Sequence, residues 1–171
     1  MRYFSGSRPN LFNHLIVAGL LVLGGCSRTS ESEPATAEPE EAEPMSFYFE
    51  SFARGQHAAF SDTTTLVIRD EATWAAYQDQ LRAVQPAEPI DFTQTMVLLA
   101  AVPTSAGGYF IEFEAVEKGG EEIVASYLLT APGRDCLVIP APAMPYEVVL
   151  TRRDEAPVRF EQRTTTYPCG L

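Results

Sequence analysis

Histidine is nearly missing from this chain, with His14 and His57 the only two in 171 residues, and cysteine is scarce at three. So few soft ligands, and no C-x-x-C pair, give poor support for a zinc site, and no metal or other cofactor is expected. Basic charge is short as well: 12 Lys and Arg stand against 23 Asp and Glu, for a formal charge of -11. Phosphate binding is powered by Lys and Arg that displace counterions, so nucleic acid is not expected as a partner. The apolar run near the N-terminus, Leu15 to Leu23, has about half the roughly 20 residues that a permanent membrane helix needs. Catalytic signatures are absent too. There is no G-x-S-x-G elbow, and Gly107-Gly108 neither leads into a helix nor carries the lysine of a P-loop. Glu112 and Glu114 sit at strand spacing and read as solvation, not as a glycosidase pair. His57, in Arg54-Gly55-Gln56-His57, reads as a loop histidine. No catalytic residue is assigned and no enzymatic activity is expected. The competing possibility is a small hydrolase that joins His57 to an acid and a nucleophile.

The first segment that is present is an address. Residues 1–25 open with Arg2 and Arg8, pass through the apolar run and end at Gly24-Gly25-Cys26, which is export-signal architecture. Leu23-Gly24-Gly25-Cys26 resembles a bacterial lipobox, in which cleavage precedes a cysteine whose thiol takes lipid. Lipidation at Cys26 implies a bacterial cell-envelope protein anchored to a leaflet by several acyl chains. Ser27 in place of Asp resembles the sorting signal for the outer membrane. Residues 26–45 then form a linker. It holds Glu31, Glu33, Glu38, Glu40, Glu41 and Glu43, with Pro34, Pro39 and Pro44, and no aromatic or branched aliphatic side chain. Such text cannot bury enough apolar surface to offset its ordering entropy, so a disordered spacer is expected. At about 3 Å per residue it reaches several tens of ångströms.

Residues 46–171 remain to fold, with 9 basic and 17 acidic side chains and therefore a charge of -8. An aromatic run from Phe47 to Phe52 and the β-branched Thr63 to Ile68 read as strands. One helix is predicted over 70–84. Asp70 is its N-cap, Trp74, Tyr77, Leu81 and Val84 share one face, and Pro86 and Pro89 end it. Trp74 and Tyr77 are expected as its largest buried anchors. Thr95 to Val102 is continuously apolar, as for a strand buried on both faces. From Tyr109 to Val116 the apolar residues fall on 109, 111, 113 and 115, with a wet face at Glu112 and Glu114. Lys118-Gly119-Gly120-Glu121 reads as a hairpin turn into an antiparallel strand from Ile123 to Leu129. Tyr146 to Thr151 and Val158 to Thr165 follow, separated by the turn-like 152–157. The fold class is mainly β with one short helix, a β-sandwich or curved antiparallel sheet, in a single domain.

Cys136 and Cys169 are left as a pair if Cys26 is lipidated, and in an exported domain a disulfide is the natural reading, with a metal pair or free thiols as the alternatives. Two loops stand out as binding candidates. Thr104-Ser105-Ala106-Gly107-Gly108-Tyr109 is made of small residues that let backbone approach another surface closely. Met144-Pro145-Tyr146 follows rigid prolines and holds types favoured at interfaces. The same residues also read as a plain turn, with Tyr109 and Tyr146 in the core.

The order of these features resembles the C-terminal domain of PrcB-type protease-complex lipoproteins. Asp91-Phe92, the apolar run 96–102, the small loop ending Gly107-Gly108-Tyr109, the strand Phe110-Ile111-Glu112-Phe113 and Pro145-Tyr146-Glu147-Val148-Val149 carry the likeness over residues 62–152, with Trp74 in the preceding helix. The resemblance implies a protein-binding role beside a surface peptidase, in its support or its restraint. A looser likeness is to chagasin-type inhibitors of cysteine peptidases, through Gly107-Gly108-Tyr109 and Pro145-Tyr146, although the Asn-Pro-Thr-Thr start is missing and Tyr146 stands where Trp is usual. The alternative is a structural envelope lipoprotein that binds other envelope components and no peptidase.

Overall fold

The computed structural model describes residues 43–81 and 89–170. The signal segment, Cys26, the linker as far as Ala42, and Val84 and Pro86 at the expected helix end lie outside the described residues. The domain is mainly β, with two four-stranded sheets and one short helix among the described residues. In chain order the elements are β1 (Met45–Ser46), β2 (Phe49–Gly55), β3 (Thr64–Ile68), α1 (Glu71–Leu81), β4 (Thr95–Ala101), β5 (Phe110–Gly119), β6 (Glu122–Pro132), β7 (Tyr146–Arg152) and β8 (Val158–Tyr167). One sheet runs β1-β5-β6-β8 and the other β2-β7-β4-β3.

β4 explains the layering. Met96, Leu98 and Ala100 face Ile111, Phe113, Ile123 and Tyr127 of the opposite sheet, while Val97, Leu99 and Ala101 face Trp74 and Leu81 of α1. The second sheet is therefore covered on both sides, by a sheet and by a helix, which is why its central strand has no polar face. Each aliphatic side chain fully buried there contributes about 1.5–3 kcal/mol.

Asp70 caps α1 as its sequence position requires. One carboxylate oxygen accepts the Thr73 N–H and the other accepts the Thr73 hydroxyl, both at 2.8 Å. Trp74 is buried with its ring edge-on to Phe52 at 5.9 Å. The second anchor is Leu81 and not Tyr77, which is half-buried against Phe60. Leu81 lies seven residues, close to two full turns, from Trp74 and shares its direction, whereas Tyr77 is rotated to the flank.

Three features of the sheets depart from the sequence pattern. A register shift between Phe113 and Ala115 breaks the alternation of β5, so that Val116 is buried where Ala115 was expected. A bulge adds one residue and inverts the faces beyond it. β8 pairs with β6 in parallel, from Ile123 opposite Val158 to Pro132 opposite Tyr167. Because β7 and β8 belong to different sheets, 152–157 is a crossover and not a hairpin turn. It is pinned by side chains: Lys118 Nζ meets Asp154 at 2.7 Å, Arg69 donates to the Asp154 and Ala156 carbonyls, and Arg153 donates to the Arg69 and Phe92 carbonyls. The β5–β6 hairpin does turn at Gly120, whose φ of 61° suits glycine.

Candidate functional site

The register places the domain's features at two poles. Met45 pairs with Lys118 beside the β5–β6 turn, so the chain enters the domain at that end. Gly55, Ala101, Phe110, Pro132, Tyr146 and Tyr167 mark the other end, where the strands meet the longer loops. At about 3.3 Å per residue, the length of β5 separates the two poles by roughly 30 Å.

At the loop pole the two candidate segments lie side by side. Thr104 N–H donates to the Ala143 carbonyl at 2.9 Å, Ala143 N–H returns to Thr104 at 3.1 Å, and Val102 N–H reaches the Pro145 carbonyl at 3.1 Å. The Thr104 hydroxyl closes the turn on the Ala106 carbonyl at 2.9 Å. Ser105 is exposed at the tip, and Tyr109 is half-buried against the inter-sheet core.

Met144, Pro145 and Tyr146 do not project outward; all three are buried. Met144 N–H donates to the Gln56 carbonyl at 2.8 Å, which draws this stretch into the second sheet. The Tyr146 ring then crosses Gly55, where any Cβ would stand 2.6 Å from it. Desolvation raises the pKa of its hydroxyl. The close approach that Gly107 and Gly108 permit is also internal. Gly107 N–H donates to the Ile139 carbonyl at 3.0 Å, Gly108 has φ 87°, and a Cβ on Gly108 would crowd Val138 and the Tyr167 hydroxyl. These glycines seat one loop of the domain on another.

The residues that do project were passed over in the sequence. Leu137 is 104% exposed and Ile139 74%, with Val138 between them and Phe110, 53% exposed, nearby. Three consecutive branched aliphatic side chains in water need a reason, because such clusters mark contact surfaces. The available signal was an apolar triplet held between Cys136 and Pro140 with no alternation.

Its base is rigid. Cys136 and Cys169 form a disulfide, Gly133 N–H donates to the Tyr167 carbonyl at 2.8 Å, and the Asp135 carboxylate accepts the N–H groups of Cys169 and Gly170 at 2.8 and 2.5 Å. Those backbone donors hold the Asp135 carboxyl below the usual range.

A second constellation lies along the seam between the sheets. Glu147, 1% exposed on β7, accepts the Ser51 hydroxyl and an Arg54 guanidinium N–H at 2.7 Å each, and its other oxygen accepts the Phe113 N–H at 2.5 Å across the sandwich. Arg54 also approaches Glu112 at 3.5 Å. His57 is exposed, and among the described residues no carboxylate or hydroxyl is hydrogen-bonded to its ring. Among the described residues no cluster of three or more His, Cys, Asp or Glu side chains is placed to hold a metal ion.

Compared with family models, with curated proteins and with solved structures, the chain has no match.

Proposed function

We propose that this chain is a PrcB-like, membrane-tethered lipoprotein whose domain grips a secreted or surface peptidase through its loop pole and performs no catalysis itself. The observation that carries the reading is the exposed cluster of Leu137, Val138, Ile139 and Phe110, fixed by a disulfide at the pole away from Met45. An apolar patch on a preorganised loop loses little conformational entropy when a partner covers it. The sequence likeness supplies the partner class, a peptidase that is supported or restrained.

Capture from detergent-solubilised membranes tests the reading. Wild-type protein recovers a peptidase, and the double variant Leu137→Asp, Ile139→Lys loses at least tenfold of that recovery while its thermal melting stays within a few degrees, as expected of exposed sites. Recovery of envelope proteins without a peptidase supports the structural alternative. Recovery indifferent to the double variant removes the loop pole from the contact.

A further inference from the structure

The strands that end the two sheets differ in how much backbone they leave unpaired. β1 has two residues and β3 five, and β2 carries a register shift between Ser51 and Ala53. β8 has ten residues and pairs with β6 without any shift. Its ladder fixes which groups point outward. Ile123 N–H donates to the Pro157 carbonyl at 2.9 Å and Gly133 N–H to the Tyr167 carbonyl at 2.8 Å, so the odd-numbered residues of this strand bond β6. Backbone groups repeat their direction every second residue, and the N–H and C=O of Val158, Phe160, Gln162, Thr164 and Thr166 therefore point away from β6. None of these groups has a hydrogen-bond partner among the described residues.

The devices that usually blunt such an edge are missing from β8. No proline lies within it, no bulge twists it and no charge points toward the core. Val158, Phe160, Gln162, Thr164 and Thr166 share the face that carries Phe160 onto Phe113. The charges stand on the other face. There Arg159 pairs with Glu122 and Glu161, and Arg163 with Glu114 at 3.2 Å. Glu161 and Arg163 nevertheless remain 50% and 72% exposed.

We propose that β8 is a self-association edge: β8 of a second copy of this chain pairs with it antiparallel, about a twofold axis at Gln162. Gln162 is the midpoint of the five outward residues, so this register pairs them all. Gln162 meets itself, Phe160 meets Thr164 and Val158 meets Thr166. On the charged face, Glu161 stands opposite the partner's Arg163, and Arg163 opposite the partner's Glu161. Opposite charges directly across an antiparallel pair stabilise it, and like charges oppose it. The two adjacent registers that keep the backbone bonds centre on Glu161 and on Arg163, and each sets like charges face to face. This self-complementarity selects a second copy over an unrelated extended segment. A twofold interface uses the same patch on both copies and closes after two, so neither β8 edge is left open. The edge includes none of Leu137, Val138 and Ile139 and is independent of the peptidase reading.

The test co-expresses two differently tagged full-length copies and purifies one from detergent-solubilised membranes at low salt. It is expected to recover the other. Thr164→Pro removes an outward donor and spares the β6 ladder, so recovery is expected to fall at least tenfold while thermal melting stays within a few degrees of wild type. Charge reversal reads the register. Two Glu161→Lys copies, or two Arg163→Glu copies, are expected to lose at least fivefold, whereas a Glu161→Lys copy recovers an Arg163→Glu copy at the wild-type level, both cross-strand pairs again being opposite in sign. In membranes treated with copper phenanthroline, Gln162→Cys is expected to give a disulfide-linked dimer. Thr164→Cys, whose partner thiol is four residues or about 13 Å along the strand, is expected to give none. Failure of one copy to recover the other, recovery indifferent to Thr164→Pro, no rescue in the mixed charge pair, or a Gln162→Cys adduct with a different protein and none with itself would each overturn the proposal.

Discussion

A carboxylate removed from water must have its oxygens occupied, and Glu147 achieves this with one hydroxyl, one guanidinium and one backbone N–H drawn from two different sheets. Removing it leaves the Phe113 N–H without an acceptor inside the sandwich and Arg54 without its closest counterion. Glu147→Ala is therefore expected to lower unfolding stability by about 3 kcal/mol, read from urea denaturation at pH 7. A loss under about 1 kcal/mol would mean that water replaces the carboxylate at no cost. This residue was not legible in the sequence. A single acid in Tyr146-Glu147-Val148-Val149 reads as one solvated position on a half-buried strand, and only the pairing of β5, which gives the outward Phe113 N–H no strand partner, gives Glu147 a reason to be inside. Met144, Pro145 and Tyr146 misled in the opposite sense, since prolines around a loop do not reveal whether the segment lies over a sheet or above it.

At the scale of elements, the crossover between β7 and β8 depends on charge. Asp154 accepts both a Lys118 ammonium and the Ala156 N–H, and these bonds, that to Lys118 foremost, lower its pKa below the ordinary 3.8. Because the folded-state value is the lower one, the contribution is complete above the ordinary value and is lost as pH falls through the lowered one. The urea midpoint is thus expected to drop as pH goes from 5 to 3, and Asp154→Asn is expected to reduce that drop while lowering the midpoint at pH 7. An Asp154→Asn profile parallel to wild type would assign the acid sensitivity to other carboxylates. Much at this scale was legible from residues alone. Asp70 announced the helix start, the polar-free β4 its two-sided burial, and Gly119-Gly120 the hairpin. The parallel pairing of β8 was not, because nothing in Val158 to Tyr167 tells a strand which sheet to join. The bulge leaves no mark in the text either, as Ala115 and Val116 are both apolar and either suits the inner face.

For the whole molecule, the disulfide joins the pole that carries the apolar cluster to the end of β8, closing a loop of 33 residues in sequence separation. Chain entropy assigns it roughly 3.5 to 4 kcal/mol. Replacing Cys136 and Cys169 by serine is expected to lower stability by about that amount and to speed amide exchange at 133–139 well before the strands respond. Uniform exchange changes across the domain would show that the loop is held by its backbone contacts alone. The division into an entry pole at Met45 and a binding pole at Leu137 to Ile139 is the claim on which the functional reading stands, and photo-crosslinking in intact cells tests it most directly. A benzophenone side chain placed at Ile139 is expected to yield an adduct that contains a peptidase, and one placed at Glu121, beside the opposite turn, is expected to yield none. A peptidase adduct from Glu121 with nothing from Ile139 would contradict the account.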